Sequence, residues 1–388
     1  MRGYVGKRGK TWGYAVDVGR DPATGRRRQR TKGGFKTRRE ADAALAEVIR
    51  SVGTGTYVAR DPQTLAEWIE RWLPTMAPKI RPSTLSDYRK SLAHVTRQIG
   101  HVRLQALRPL DLEELYATLL KEGHRFGGGL APKTVRNVHI ALRRSLADAE
   151  RFGLVHRNVA ALVKAPAPTR PDLTTWSAPE VSQFLASVEA HRLGPAFRLL
   201  AATGMRRGEV LGLKWDSVDL DAGRLSVRRS LIAVDDELVW SDPKTSRSRR
   251  NLSLDSETVA VLRAHRRRRL EERLAAGELW EEHDLVFSTE TGEALHPDRF
   301  SRAFERAVQS SGLPRIRMHD LRHTWATLAL QAGIHPKVVS ERLGHASTSI
   351  TLDIYSHVQP ELDAQAATAV ALLFDAEPDA DPGALHSV

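Results

Sequence analysis

The sequence predicts a multidomain chain, mainly α with small β-sheets: a small α/β domain first, then a helical domain, then a mixed α+β domain. Three observations carry this expectation. A length of 388 residues implies two or three domains. The pattern breaks at Arg60-Asp61-Pro62 and again across 165–172, APAPTRPD, whose prolines cannot continue a helix. Between the breaks the apolar period shifts from strand-like alternation to long helical repeats, then to a mixture of both. The expected domains are 1–60, 64–165 and 173–374, followed by an acidic, Pro-rich tail over 375–388 that is expected to be disordered.

In the first domain, GYVGKRGKTWGYAVDV alternates aromatic or β-branched residues with basic and small ones, which predicts strands separated by Gly-rich turns. RRRQRTKGGF reads as a third strand studded with Arg. Thr37 with Glu40 three residues on marks a helix start, and Ala44, Leu45 and Val48 supply its apolar face. Charge is concentrated here. Residues 1–60 hold 15 Lys+Arg against 5 Asp+Glu, so +10 of the net +12 lies in them. A pI near 10.1 favours an anionic partner, most often nucleic acid. Arg26, Arg27, Arg28 and Arg30, beside Trp12, Tyr14 and Phe35, form a candidate DNA-binding strand, because strands enter grooves. A solvated basic strand over a small aromatic core is the alternative.

Four helical patterns follow. TLAEWIERWL repeats apolar residues at helical spacing, and RPSTLSDYRKSLAHVTRQIG begins near Pro82, a favourable first-turn residue. PLDLEELYATLLKEG stops at Gly123, and PKTVRNVHIALRRSLADAERFG runs from Pro132 to Gly153. Trp68, Trp72, Leu115 and Leu142 are candidate core residues. GHRFGGGLAP, between the last two patterns, is expected to be flexible.

The third domain opens with WSAPEVSQFLASVEAH, with Ser177 as cap and Pro179 and Glu180 in the first turn. Two helical segments broken at Thr203-Gly204 come next. Residues 223–255 are strand-rich, with turns near Asp235-Asp236 and Pro243. A helix carrying Arg266 to Arg269 follows, its Arg run most simply a solvated face balanced by Glu271 and Glu272. DLVFSTETG reads as a strand-like piece and turn, and HPDRFSRAFERAVQSSG as a helix.

Several classes are excluded. With no Cys, there are no disulfides, thiol nucleophiles or Cys-ligated zinc. No apolar run approaches a membrane span, and the first residues lack the apolar core of a signal peptide. A cytoplasmic location, with no membrane partner, is the expectation.

The chemistry gathers late in the chain. Residues 318–358 contain His319, Arg322 and His345, with Tyr355 ten residues after the last of them. Attack on a phosphodiester builds negative charge on the phosphoryl oxygens, and Arg, with its planar fork and permanent charge, stabilises it best. Arg206 and Arg322 are the candidate arginines. Lys244 offers an ammonium, Tyr355 an oxygen nucleophile, and His319 and His345 hydrogen bonds at the phosphate.

The pieces TGMRRGEVLGLKW, PKTSRSRRNLSL, HDLRHTWATL and LGHASTSITLDIYSHV, in this order, resemble the tyrosine recombinases, or phage integrases. The resemblance implies that Arg206 and Arg322 bind the phosphate and that Lys244 protonates the leaving 5′ oxygen. It implies that His319 and His345 are the two histidines of the site. Tyr355 is then the nucleophile that forms a 3′-phosphotyrosine bond, and Glu209 supports the arginine region. It further implies a helical core-binding domain, an arm-binding N-terminal domain, double-stranded DNA attachment sites as partners, a homotetramer on DNA and a directionality factor. Neither a metal nor another cofactor is implied. The apolar stretch 362–374 resembles a helix that packs on a neighbouring protomer, or on its own domain. Arg207 rivals Arg206, although the TGxR register favours Arg206. Lys214 rivals Lys244, and His319 with His323 forms a conceivable metal pair without a third ligand. A non-catalytic DNA-binding regulator and a type IB topoisomerase are the alternative functions.

Overall fold

Alternation near the N-terminus becomes an antiparallel sheet. The computed structural model describes residues 3–20, 25–54, 57–124, 127–168, 174–241 and 249–345. β1 (Gly3–Arg8), β2 (Thr11–Arg20) and β3 (Arg27–Phe35) pair in that order. On one face, Tyr14 and Val16 of β2 bury against Leu45 and Val48 of helix α1 (Arg38–Gly53). The Thr37 hydroxyl caps that helix, accepting the Glu40 amide at 3.2 Å. β3 is exposed along almost its whole length.

Helices α2 (Leu65–Met76), α3 (Pro82–Ile99), α4 (Pro109–Glu122) and α5 (Pro132–Arg151) enclose a separate apolar cluster. Thr64 and Glu67 cap α2 reciprocally, and a proline starts each of the other three. Trp68, Trp72, Leu115 and Leu142 all lie in this core. A buried indole N–H needs an acceptor. Trp68 donates to Ser145 Oγ and Trp72 to Asp148 Oδ2, both at 2.9 Å. The chain divides into two compact units, Met1–Arg170 and Pro171–Val388.

The second unit starts with α6 (Ala178–Ser187), capped by Ser177 and Glu180. It continues through α7 (Gly194–Thr203), α8 (Arg207–Leu211), β4 (Val218–Asp219), β5 (Arg224–Val227), β6 (Ser230–Val234), β7 (Glu237–Ser241) and β8 (Arg250–Ser253). It then runs through α9 (Ser256–Ala276), α10 (Pro297–Ser311), α11 (Met318–Gln331) and α12 (Pro336–Leu343). β4, β5 and β8 form one small sheet, and β6 and β7 a hairpin. Asp235 and Asp236 turn that hairpin with φ of 52° and 68°, the positive pair a tight two-residue turn demands. Trp176, Phe184, Phe197, Phe300 and Phe304 fill the main core. Ala326, Ala329, Leu330, Val339 and Leu343 join α11 to α12. Among the described residues, no helix is long and apolar enough to cross a membrane.

Two elements differ from expectation. DLVFSTETG forms no strand; Leu285 and Ser288 make only isolated bridges, to Lys214 and Ala294. The run Arg266–Arg269 is only half solvated. Arg269 is buried and donates to Glu272 and to the Thr289 carbonyl, both at 3.1 Å. Arg268 donates to the Arg192 carbonyl, and Arg192 forks onto Glu272. The helix turn carries the latter half of the run inward, where Glu272 balances its charge. The turn near Pro243, the stretch 362–374 and the tail 375–388 lie outside the described residues.

Gly204 ends α7 with φ of 64°, and a Cβ there would sit 2.5 Å from Leu343 Cδ2. Gly204→Ala is therefore expected to destabilise the second unit by about 1–3 kcal/mol, from backbone strain and overpacking together. Urea unfolding with an unchanged midpoint would contradict this close approach.

Candidate active site

The site is built around the end of α12. Gly344 leaves the helix with φ of 66°, and the Gly344 and His345 amides donate back to the Glu341 and Ser340 carbonyls at 3.0 Å. The next three carbonyls, of Arg342, Leu343 and Gly344, have no partner within the helix. Three guanidiniums from separate elements take them. Arg250 Nε, at the start of β8, donates to Arg342 O at 2.6 Å. Arg322 Nη2, on α11, donates to Leu343 O at 2.6 Å. Arg206 Nη2, just before α8, donates to Gly344 O at 3.0 Å. The negative end of a helix dipole favours this gathering of cations.

Each arginine has a second anchor. Arg322, only 3% exposed, also donates to Gly204 O at 2.7 Å, so its plane is fixed from two sides. Arg206 and Arg250 share the Glu209 carboxylate. Arg206 reaches it through its amide at 2.9 Å and through Nη1 at 2.8 Å. Arg250 forks onto both of its oxygens at 3.1 and 2.8 Å. Burial alone would raise the Glu209 pKa. The Arg250 fork, and then Arg206, reverse that and hold the carboxyl below its ordinary range. Glu209 is thus an ionised anchor beneath Arg206.

His319 stands one helical turn before Arg322 and faces His323 edge-on, with ring centroids 5.0 Å apart. His319 keeps an open side to solvent. Burial of its inner side, with His323 and the Arg322 charge, pushes its pKa down to about 4. His345 is buried, and burial followed by Arg322 and Arg206 pushes it to about 4 as well. Burial lowers Arg322 to about 9, with Arg206 adding to the effect, which still leaves it a cation at neutral pH. The site therefore presents fixed guanidinium charge beside neutral imidazoles. Such an arrangement suits an anionic phosphodiester whose charge grows during attack.

Arg206, Arg322, His319, His345 and Glu209 thus come together. Arg207 turns away, donating to Ser301 Oγ at 2.6 Å and Pro297 O at 3.2 Å on α10. Lys214 lies with its ammonium over the Trp240 ring at 5.7 Å. Lys244 and Tyr355 lie outside the described residues. Among the described residues, no cluster of three or more ligating side chains could hold a metal. The four N-terminal arginines belong to the other unit and do not share one face. Arg30 pairs across from buried Val16 and stacks over Tyr57 at 5.6 Å, on the helix side. Arg27 forms an ion pair with Asp17. Arg250 was not a sequence candidate. Its signal is the alternation of RNLS, which sets Arg250 on the same inward side as buried Leu252.

Three family models match the chain: the phage integrase family over residues 176–361, an arm DNA-binding domain over 4–52, and a phage integrase N-terminal SAM-like domain over 64–120. The chain is 28% identical over 392 residues to a tyrosine recombinase XerC-like protein of Caldanaerobacter subterraneus, covering 96% of this chain and 98% of that one. Its fold is similar to the Tn1549 transposon integrase in complex with transposon right end DNA, with a TM-score of 0.65 and 18% identity, covering 80% of this chain and 99% of that one. It is also similar to a lambda integrase tetramer bound to a Holliday junction, with a TM-score of 0.56 and 21% identity, covering 89% and 96%.

A buried His345 that stays neutral to about pH 4 titrates near 6.5 once the chain unfolds. Between those values the unfolded state binds more protons, so stability falls as pH falls through that window. The thermal midpoint is expected to drop across it, and His345→Gln to make the drop shallower. An identical slope in the variant would show that the imidazole is not held neutral.

Proposed function

Because the chain belongs to the phage integrase family of tyrosine recombinases, we propose that it is a site-specific DNA recombinase that integrates or excises a mobile element. The observation that carries this reading is the pair Arg206 and Arg322, fixed on adjacent carbonyls beside two neutral imidazoles. Their remaining N–H donors hold the scissile phosphate and take up the charge that develops on it. The Tyr355 hydroxyl oxygen attacks phosphorus, and the bond to the 5′ oxygen breaks. The tyrosine proton passes to a base in the site, for which neutral His319 serves, and Lys244 gives a proton to the departing 5′ oxygen. A 3′-phosphotyrosine remains, which the 5′ hydroxyl of a partner strand attacks in the reverse sense. One phosphodiester is exchanged for another, so neither ATP nor a metal enters the balance.

In this proposal, residues 173–374 carry the chemistry, the helices of 64–165 grip the core site, and residues 1–60 bind accessory arm DNA. The assembly is a tetramer on two DNA sites, by analogy with the similar integrase captured on a Holliday junction.

Tyr355→Phe removes one hydroxyl. It is expected to abolish the covalent protein–DNA adduct on a nicked suicide substrate while leaving the binding affinity for that DNA unchanged. An adduct that persists assigns the nucleophile elsewhere.

Replacing Arg26, Arg27, Arg28 and Arg30 together by Gln is expected to weaken arm-DNA binding. It should also flatten the plot of log affinity against log salt by about 0.9 for each phosphate no longer neutralised. A slope equal to that of the wild type removes the N-terminal strand from the DNA interface.

A further inference from the structure

Arg250 is an arginine on a strand whose neighbours alternate between solvent and core, and its side chain is only 7% exposed. A cation buried that deeply needs a buried anion, and the partner it forks onto, Glu209, is 6% exposed. The same guanidinium reaches in a second direction, from Nε to the Arg342 carbonyl at 2.6 Å. It therefore ties two elements that are far apart in sequence. Through Glu209 it fixes the cap of α8, and so the amide and Nη1 of Arg206. Through Arg342 O it fixes the last turn of α12, from which His345 and the tyrosine-bearing segment follow.

We infer that Arg250 is a positioning residue of the reaction, setting the alignment of Arg206 with His345 through the Glu209 carboxylate and the Arg342 carbonyl. The inference rests on the recombinase reading given above. Arg250 does not touch the reacting atoms in this role. It holds Glu209 ionised and oriented, and Glu209 in turn fixes the rotamer with which Arg206 meets a phosphate. Two arginines share one carboxylate here, each donating to both of its oxygens. Removing Arg250 leaves Glu209 with Arg206 alone as its paired cation among the described residues. Arg322 acts on it through space, and Lys214, Arg228 and Arg229 line a small cavity that Glu209 also lines. Burial then raises the carboxyl pKa, and a protonated Glu209 loses its charge and holds the amide and Nη1 of Arg206 more weakly.

The test compares the full-length wild type with Arg250→Lys, Arg250→Met and the double variant Arg250→Met with Glu209→Gln. The double variant removes the buried carboxylate along with its cation, so it folds without an unpaired buried charge. Single-turnover adduct formation on a suicide DNA substrate is followed at saturating protein, across pH, beside the binding affinity for the same DNA. Arg250→Lys keeps a cation but cannot span both Glu209 oxygens and the carbonyl. It is expected to cleave about 10-fold or more slowly at an unchanged Kd, because misalignment of this kind acts on the chemical step. Arg250→Met is expected to gain an acidic limb, its rate falling as pH is lowered where the wild type is flat. The double variant is expected to be slow and to lose that limb. A role in stability alone predicts a different pattern: a lower unfolding temperature, binding reduced in proportion to cleavage, and no new limb. That pattern, or wild-type rates in Arg250→Lys, would overturn the inference while leaving the recombinase reading intact. Wild-type protein that binds the DNA without forming an adduct overturns both.

Discussion

The second unit depends on how the last turn of one short helix is finished. Three successive carbonyls at the end of α12 would otherwise face inward without donors, and each such group left unpaired costs about 1–3 kcal/mol. Arg250, Arg322 and Arg206 satisfy them one each. The guanidiniums repel one another, and four carbonyl acceptors, counting Gly204 O, plus one carboxylate offset that repulsion. A cluster of cations is thereby held in place before any anion arrives. Preorganised charge of this kind acts on a developing phosphoryl charge without having to reorganise first.

The backbone can approach so closely because small residues line the joints. Gly204 lets α7 end against Leu343, and added side-chain atoms at Gly208 and Gly212 would collide with Ser230 and Leu231 of β6. α8 therefore lies directly on the β6–β7 hairpin, and Arg206 leaves its first turn aimed at α12. On the other side, Ala326 and Ala329 let α11 sit tightly against Val339 and Leu343. Apolar packing brings the helices together, and the arginines set the fine alignment of their ends.

Local features were legible in the sequence. The caps at Thr37 and Ser177, the prolines that open helices and the Asp235-Asp236 turn each depend on a few adjacent residues, and each stands where its neighbours imply. The structure also brings together Arg206, His319, Arg322 and His345, which the sequence marks as candidates by type and order. Long-range choices were not. Arg250 reads as one more basic residue in SRSRRNLSL until its partner, forty-one residues upstream, is known to be a buried carboxylate. Arg269 reads as solvated helix surface until Glu272 and the Thr289 carbonyl are found beneath it. Arg30 reads as part of a basic strip, but the pairing of β2 with β3 shifts register between Trp12 and Tyr14 and again between Asp17 and Arg20. Alternation along β3 already separates Arg27 from Arg28 and Arg30, but only the pairing of Arg30 with buried Val16 shows which of the two faces meets the helix.

The two depressed histidines bear on where protons come from. An imidazole with a pKa near 4 carries its second proton only rarely in a neutral cell. At rest it can align a hydrogen bond or accept a proton, but it holds none to give until it has taken one up. In the proposed reaction the departing 5′ oxygen draws its proton from a group that is charged at rest and acidic enough to give it up. An ammonium meets both conditions where a guanidinium meets only the first, which is why the proposed reaction leaves this proton to Lys244 and the holding of charge to the arginines.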